Sequence, residues 1–338
     1  MQEEPNRILI TGANGFVGRH LLNSLMETDG EGGDEQIPAQ IVASVQAEHR
    51  ADAEAWTGQA FPKEQVRRIR WVEHDITDPA ATGRLFATVR PQQVYHLAAR
   101  ASGADADREA VFAVNVGGTR RLLEAAAALT PLPRVLLIST GYIYGNTDPA
   151  RPAREADPAA PLGRFGPYTD SKIEMEAVAR GYSEFSLVAR AFSHTGPGQT
   201  PTFALPSFAR QLVRIELGLE VPLLHVGNLE AQRDMLDVRD VVRAYRLLMA
   251  HGAPGEVYNV ATGSPHRMHD LLDRLRALCT VPTEVVVDPA RLRPADIACS
   301  SGDPSRLWAA TKWQPQFPLE TTLRDMLAFW REATPAQD

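Results

Sequence analysis

Short apolar runs alternate with longer amphipathic segments along the first 190 residues of the chain. The runs are rich in aliphatic and β-branched residues, which is typical of parallel strands covered on both faces. The pattern predicts strands at Arg7–Ile10, Ile41–Val45, Ile69–Glu73, Val94–Ala98, Val135–Ser139 and Leu187–Ala191. A surface insertion is expected at Thr28–Gln40, because this segment is rich in glycine and acidic residues.

Several segments between these strands have apolar residues at the spacing typical of helices. In Phe16–Met26 the apolar residues recur every three or four positions, which places them on one helix face. Further helices are predicted at Arg108–Leu129, Ser171–Ser183 and Val238–Met249, and a strand at Glu256–Ala261 is expected to rejoin the sheet. Such alternation predicts an α/β fold with a doubly wound parallel sheet. It decays beyond residue 190, so we expect a smaller C-terminal α/β domain there.

Composition narrows the class of protein. A length of 338 residues fits about two domains, and 44% hydrophobic with 23% charged residues is typical of a globular chain. The net charge of −7 argues against a nucleic-acid binder, and no apolar stretch is long enough for a membrane span. Cys279 and Cys299 cannot form a disulfide framework, and His266 and His269 lack a third metal ligand. The chain is expected to be cytoplasmic and metal-free.

A glycine-rich loop joins the first strand to the first helix. Gly12, Gly15 and Gly18 are spaced G-x-x-G-x-x-G, which differs from the G-x-G-x-x-G of many dehydrogenases. Glycines here allow close approach of a pyrophosphate, and the helix N-terminus offers free N–H groups. The pattern therefore predicts a Rossmann-type dinucleotide-binding domain, which we assign to residues 1–190 plus about 234–262. Residues 191–233 plus 263–338 would form the substrate domain.

The identity of the dinucleotide depends on the end of the second strand. A carboxylate there would bind the ribose hydroxyls of NAD, but the position holds Gln46, and the first carboxylate is Glu48. Arg19, His49 and Arg50 are cations that could accept a 2′-phosphate instead. The sequence thus favours NADP(H) over NAD(H) and leaves both open, since these arginines could equally be solvated surface residues.

A candidate catalytic group opens the segment that begins at Tyr168. Tyr168 and Lys172 are four residues apart, which places phenol and ammonium on the same helix face. A nearby cation is expected to lower the pKa of the phenol toward working pH and make it a usable acid or base. Residues 138–141 end a strand upstream, where α/β sheets place reactive groups, and a hydroxyl there, of Ser139 or Thr140, is expected to share the substrate oxygen with Tyr168.

These elements, together with His96–Ala99, Asn115 and Ser139–Gly145, resemble the extended short-chain dehydrogenase/reductases, an NAD-dependent epimerase/dehydratase family that acts on nucleotide sugars. By this resemblance, Thr140, Tyr168 and Lys172 are the catalytic trio. The resemblance and the glycine loop together imply a cofactor site formed by Gly12, Gly15, Phe16, Val17, Gly18, Arg19, Asp75, Ile76, Leu97, Ala98, Ala99, Asn115, Tyr168 and Lys172.

Two positions after Thr140 narrow the reaction. The 4,6-dehydratases of this family carry Asp-Glu there, to remove the C5 proton and the C6 hydroxyl. This chain has Gly141 and Tyr142, and neither can act as a carboxylate acid or base. Reduction or epimerisation at C4 needs only the trio and the nicotinamide, so these reactions are favoured over dehydration.

Segments 191–199, 208–211, 226–240, 254–259 and 287–293 resemble the GDP-4-keto-6-deoxy-D-mannose reductases of the family. This resemblance implies a GDP-linked sugar substrate bound by Tyr142, Ser193, His194, Arg233 and Arg293. Two departures bear on the sugar: Ser193 stands where asparagine is usual, and Tyr142 where a smaller or acidic residue is frequent. Arg233 and Arg293 are candidates for the diphosphate, with Arg210 and Arg214 as possible contributors.

The sequence thus predicts hydride transfer from NAD(P)H to the C4 ketone of GDP-4-keto-6-deoxy-D-mannose, giving GDP-D-rhamnose. One alternative is a nucleotide-sugar 4-epimerase with tightly bound NAD, and another is a non-catalytic dinucleotide-sensing protein. A homodimer is expected by resemblance, through Arg108–Leu129 and the helix after Tyr168.

Overall fold

The computed structural model describes residues 6–27, 40–101, 107–292 and 297–334. The predicted insertion Thr28–Gln40 lies outside these residues except for Gln40, which begins a strand. Arg293 also lies outside them.

The thirteen strands of the described residues, β1 to β13, are Arg7–Thr11, Gln40–Val45, Ile69–Glu73, Gln93–His96, Arg134–Thr140, Ser186–Ala191, Ser193–Thr195, Leu223–Val226, Gln232–Asp237, Val257–Val260, Pro265–Arg267, Glu284–Val287 and Cys299–Ser300. Seven of them form one parallel sheet in the order β10-β6-β5-β4-β1-β2-β3. The chain therefore winds outward from β1 in both directions, which confirms the predicted doubly wound α/β fold. The predicted return of residues 256–261 to the sheet is confirmed by β10, which pairs with β6.

The twelve helices of the described residues, α1 to α12, are Phe16–Glu27, Arg50–Ala60, Lys63–Val66, Pro79–Val89, Arg108–Phe112, Thr119–Ala127, Pro167–Ala179, Ala204–Glu216, Val238–His251, Met268–Ala277, Ser305–Thr311 and Leu319–Ala333. Alternate side chains of β1 show how the sheet is covered. Ile8 and Ile10 pack in the cluster that contains α1 and α9, whereas Leu9 packs with α4, α6 and α7. Both faces of the large sheet are buried under helices, which explains why the strands are uninterrupted apolar runs.

Two predicted boundaries need correction. The strand predicted at Val94–Ala98 ends at His96, because Leu97 and Ala98 turn away to form a loop beside the glycine turn. The helix predicted at Arg108–Leu129 is interrupted between α5 and α6 by a π-helical segment at Ala113–Gly118. Such segments are uncommon and often mark functional sites.

The C-terminal part of the chain carries two smaller sheets. In the first, β9 pairs with β7, β11 and β13, and in the second β8 pairs with β12. A third apolar cluster unites α8, α10 and α12 beside them. The predicted division at 190, 234 and 262 stays a prediction. Within the described residues, β9 belongs to one of the smaller sheets, β10 belongs to the large sheet, and α9 packs against the large sheet.

Candidate active site

The glycine loop is a tight turn that only glycine can form at two of its three positions. Gly12 has a φ of +67°, and a Cβ there would lie 2.8 Å from the backbone nitrogen of Ala98. A Cβ at Gly18 would lie 2.5 Å from the carbonyl oxygen of Ala13, where α1 passes closest to the turn. Gly15 is exposed and its Cβ would approach only the Gly12 carbonyl, at 3.3 Å. An open turn followed by the N-terminus of α1 fits a dinucleotide pyrophosphate.

The loop ends on a cation whose orientation is fixed. Arg19 donates from Nε to the carbonyl of Asn14 at 3.0 Å, and its guanidinium lies 5.1 Å from the centre of the Trp56 ring in α2. Burial lowers its pKa, while Asp52 acts in the opposite direction. Arg50, in contrast, is paired with Glu54 at 2.9 Å and Glu73 at 3.5 Å. The two arginines proposed from the sequence therefore differ in their partners. Arg50 forms ion pairs with two carboxylates, whereas Arg19 is held by a backbone carbonyl and an aromatic ring.

The other predicted cofactor residues follow the carboxyl ends of neighbouring strands. Asp75 is exposed after β3, where Thr77 donates two hydrogen bonds to its carboxylate and thereby lowers its pKa. Ile76 is buried, and a Cβ at Gly118 would clash with it at 2.8 Å. Leu97–Ala99 follow β4 next to the glycine turn. All of them lie at the sheet edge where α/β folds bind ligands.

Asn115 lies in the π-helical segment, 1% exposed, and its amide is bonded wholly within the protein. Its Oδ1 accepts from the backbone of Arg100 at 2.8 Å, and its Nδ2 donates to the carbonyl of Arg100 and, at 2.9 Å, to the hydroxyl of Ser171. The side chain thus joins the loop after β4 to α7. It positions the site, and direct contact with the cofactor stays a prediction.

Thr140, Tyr168 and Lys172 come together at the end of β5. Proline at the first position of α7 starts the helix, so Tyr168 lies in its first turn and Lys172 one turn later. The side chains of Thr140 and Tyr168 are hydrogen-bonded. Lys172 is 4% exposed, donates from Nζ to the carbonyl of Ile138 at 2.7 Å, and lies 5.9 Å from the centre of the Tyr168 ring.

The predicted lowering of the Tyr168 pKa is wrong for this structure. Burial raises the pKa of Tyr168 to about 12, with Tyr142 adding to the effect and the Thr140 hydrogen bond opposing it. Burial also lowers the pKa of Lys172 to about 8, against the attraction of Glu176. Desolvation therefore outweighs the attraction between phenolate and ammonium that sequence spacing suggests. At neutral pH the phenol is protonated, as a proton donor must be.

Three of the predicted substrate residues meet beside this trio. The hydroxyl of Tyr142 lies 3.3 Å from that of Ser193, and the guanidinium of Arg233 lies 5.9 Å from the centre of the Tyr142 ring. Nη1 of Arg233 also donates to the carbonyls of Gln232 and Ile297, at 2.9 and 2.6 Å, which orients it. Two hydroxyls and one oriented cation thus lie beside Tyr168, as recognition of a polar anionic ligand requires.

His194 lies nearer the glycine loop than the sequence suggested. Its ring stacks on Phe16 at the start of α1, with centroids 6.3 Å apart and an interplanar angle of 7°. Its Nδ1 donates to the carbonyl of Phe192 at 2.9 Å, and burial lowers its pKa. The ring therefore packs between the glycine loop and the second domain, and a contact with the sugar stays a prediction.

A cavity of about 380 Å³ lies between α8, β8 and the segment after β12. Arg210 and Arg214, which the sequence named as possible contributors, line it on one helix face. Arg291 and His225 line it as well, and sequence reasoning missed both, because only β8–β12 pairing brings them to α8. Arg291 donates to the hydroxyl of Ser207 at 3.1 Å. Glu220 also lines the cavity and pairs with Arg214. Three arginines against this one carboxylate still make the cavity suited to an anionic ligand.

Within the residues that the structure describes, no three His, Cys, Asp or Glu side chains are grouped as metal ligands would be. In the same part of the chain, none of the helices combines the length and apolarity needed to cross a membrane. The site combines a phenol, a hydroxyl and an ammonium beside a dinucleotide-type loop.

The known proteins that this chain resembles identify its family. The family model for GDP-mannose 4,6 dehydratase matches residues 9–326. GDP-6-deoxy-D-mannose reductase of Pseudomonas aeruginosa is 32% identical over 331 residues, which cover 96% of this chain and 97% of the relative.

Two solved structures extend the comparison. That of RMD from Pseudomonas aeruginosa complexed with NADPH is 30% identical, with a TM-score of 0.79 over 98% of this chain and 99% of the other. That of Thermus thermophilus UDP-glucose 4-epimerase with NAD is 26% identical, with a TM-score of 0.76 over 97% and 100%. The chain belongs to the GDP-mannose 4,6-dehydratase family of extended short-chain dehydrogenase/reductases, NAD(P)-dependent enzymes that modify nucleotide sugars.

Proposed function

We propose that this protein reduces the C4 ketone of GDP-4-keto-6-deoxy-D-mannose with NAD(P)H, giving GDP-D-rhamnose. The observation that carries the proposal is the pair after Thr140. A dehydratase needs a carboxylic acid and a base there, and this chain places Gly141 and Tyr142, with the Tyr142 hydroxyl against Ser193. The site keeps a proton donor for a C4 oxygen and has no carboxylate at those two positions to remove a C5 proton.

The roles of the trio follow from its hydrogen bonds and charges. When bound, the dihydronicotinamide supplies a hydride to C4, and the C4 oxygen becomes an alkoxide. Tyr168, protonated at neutral pH, donates its phenolic proton to that oxygen. Thr140 turns its one hydroxyl proton from Tyr168 to the same oxygen and donates a hydrogen bond to it. Lys172 turns from the carbonyl of Ile138 to the nicotinamide ribose and stabilises the phenolate that remains.

In this proposal, the arginines of the second domain bind the nucleotide part of the substrate. Arg233 lies next to the sugar site, on the ring of Tyr142, and we assign it to the diphosphate together with Arg293. The cavity lined by Arg210, Arg214 and Arg291 supports binding of the remaining nucleotide. A guanidinium fork pairs with two phosphate oxygens at once, which favours arginine over lysine at such sites.

Consumption of the cofactor separates this reaction from its rival, 4-epimerisation. The enzyme would be offered GDP-4-keto-6-deoxy-D-mannose with NADPH or NADH, and absorbance at the nicotinamide band would be followed while the sugar is identified. We expect one cofactor oxidised for each GDP-D-rhamnose formed. An epimerase returns its hydride to the sugar and would convert a 4-hydroxy sugar without net oxidation, which would contradict the proposal.

We propose that the enzyme prefers NADPH to NADH and that Arg19 provides this preference. Stacking on Trp56 and the bond to Asn14 hold its guanidinium in place, at the position beside the glycine loop where an arginine meets a 2′-phosphate. Arg19→Ala is expected to raise KM for NADPH about tenfold, as the loss of one charge-assisted contact would, and to leave KM for NADH nearly unchanged.

Arg50→Ala is the matched control, because Glu54 and Glu73 already engage this arginine. It is expected to change KM for NADPH less than about twofold. Initial rates with both cofactors measure this. An equal rise of KM for NADPH and NADH in Arg19→Ala would count against a 2′-phosphate contact.

We also propose a homodimer formed through α5, α6 and α7. Sedimentation equilibrium of the purified protein would show a species of twice the 37.0 kDa chain mass. A monomer at micromolar concentration would overturn this assignment without affecting the proposed reaction.

A further inference from the structure

Six consecutive hydrogen bonds connect the loop beside the glycine turn to the start of the catalytic helix. They run through buried side chains of β1, β4, the π-helical segment, α6 and α7. We call this path the relay; its members are Ala98, Thr11, His96, Thr119, Asn115, Ser171 and Tyr168.

The first half of the relay has one possible direction. Thr119 donates its hydroxyl proton to the carbonyl of Asn115 at 2.7 Å, since a carbonyl can only accept. Its oxygen must then accept from Nε2 of His96, 3.0 Å away. Burial lowers the pKa of His96 to about 3, so the ring is neutral and its Nδ1 carries no proton. Nδ1 therefore accepts from Thr11 at 2.7 Å, and Thr11 accepts the N–H of Ala98 at 3.2 Å.

The second half is fixed in the same way. The backbone N–H of Arg100 must donate, so the amide oxygen of Asn115 faces it and the amide nitrogen faces Ser171. Ser171 accepts that bond at 2.9 Å, and its own hydroxyl donates a hydrogen bond to the carbonyl of Tyr168 at 2.7 Å. Each hydroxyl proton is used once, and no member can reverse alone without leaving an unpaired group.

Burial makes the relay costly to break. The side chains of Thr11, Thr119 and Ser171 are fully buried, and those of His96 and Asn115 are 3% and 1% exposed. Water therefore cannot reach these groups to replace a hydrogen-bond partner that a substitution removes. A donor or acceptor left unpaired then costs its full desolvation free energy.

We propose that Thr119 and His96 are positioning residues that couple cofactor binding to the placement of Tyr168. One end of the relay holds the Ala98 backbone against Gly12, and the other end holds the first turn of α7. A cofactor that orders the glycine turn thereby orders Tyr168. The catalytic part of this inference rests on the proposed function, while the coupling itself does not.

A second set of residues offers a matched control. Ser44 in β2, His74 just after β3 and Thr82 in α4 repeat the first pattern. Thr82 donates to the carbonyl of Asp78, and the His74 ring lies 2.9 Å from the Thr82 hydroxyl and 3.4 Å from that of Ser44. Within the described residues, the hydrogen bonds of this set end in α4 and do not lead to α7. Thr82→Val and Thr119→Val thus remove the same hydroxyl from equally buried sites, and only one of them cuts the relay.

The test compares hydrogen–deuterium exchange of peptides covering residues 166–172 with and without NADPH. We expect NADPH to slow exchange in the native protein, in Thr82→Val and in Thr119→Ser, which keeps the hydroxyl. In Thr119→Val the NADPH effect on this peptide should disappear. If Thr119→Val does not fold, Ser171→Ala cuts the last link and should show the same loss.

Activity provides the second readout. Thr119→Val should lower kcat about tenfold with a smaller change in KM, whereas Thr82→Val should leave kcat within about twofold. Equal behaviour of the two valine variants in both assays, or absence of any NADPH effect at 166–172 in the native protein, would overturn the coupling. Because exchange needs only NADPH, failure to reduce the GDP-sugar would count against the proposed function and leave the exchange comparison intact.

Discussion

Tyr168→Phe is expected to lower kcat by about a thousandfold, the contribution of a well-placed general acid. The change removes the phenolic proton that the structure places beside Thr140 at the end of β5. The ring stays, so packing and cofactor binding should be retained. Steady-state rates with the keto-sugar and fluorescence titration with NADPH measure the two properties separately.

Tyr182→Phe is the control for loss of a phenol hydroxyl. This tyrosine packs edge-on against Phe185, away from the trio, and its replacement should leave kcat unchanged. Turnover retained in Tyr168→Phe at more than about a tenth of the native rate would remove Tyr168 from the chemistry.

Arg190→Met is expected to lower the free energy of unfolding by about 3–5 kcal/mol, because it leaves the charge of Glu176 buried without its partner. Arg190 and Glu176 meet at 2.7 Å with side chains only 10% and 7% exposed. Although burial disfavours the charge of Arg190, the hydrogen bonds that its guanidinium donates to Glu176 and Tyr144 raise its pKa. The carboxylate also accepts from Ser139 at 2.6 Å, next to Thr140.

Arg154→Met provides the comparison, since its pair with Asp303 at 3.0 Å is on the surface and its side chain is 71% exposed. Arg154→Met should lower the free energy of unfolding by less than about 1 kcal/mol. Urea denaturation measures both values. The double variant Arg190→Met/Glu176→Met should recover part of the lost free energy of unfolding, because no buried charge is then left without a partner. If Arg190→Met alone lowered the free energy of unfolding only as much as Arg154→Met does, solvent would have to reach the Arg190–Glu176 pair.

The sequence predicts the large sheet well because its strands are buried on both faces. All seven predicted strands occur, with ends shifted by at most two residues, since apolar runs of this kind leave no alternative to a covered sheet. Three helices between β2 and β4, namely α2, α3 and α4, were not predicted. For α4 a signal existed: Asp78 precedes Pro79 and accepts hydrogen bonds from the N–H groups of Ala80 and Ala81.

The site is predicted less completely, because spacing identifies residues but not their surroundings. Thr140, Tyr168 and Lys172 do meet, yet the pKa of Tyr168 moves opposite to the direction predicted, because burial at this position is not visible in the spacing. The π-helical segment has no periodicity that separates it from an ordinary helix, although Gly117 and Gly118 mark it. Arg291 reaches α8 only through pairing of β8 with β12, which is a non-local contact.

The most direct test of the account follows the hydride itself. The enzyme would be given GDP-4-keto-6-deoxy-D-mannose and NADPH deuterated at C4 of the nicotinamide, with each of the two C4 stereoisomers in turn, and the sugar product would be analysed by NMR. We predict GDP-D-rhamnose with one deuterium at C4 of the sugar from one stereoisomer and none from the other. A product without deuterium from either stereoisomer, formed while NADPH is not consumed, would contradict the account.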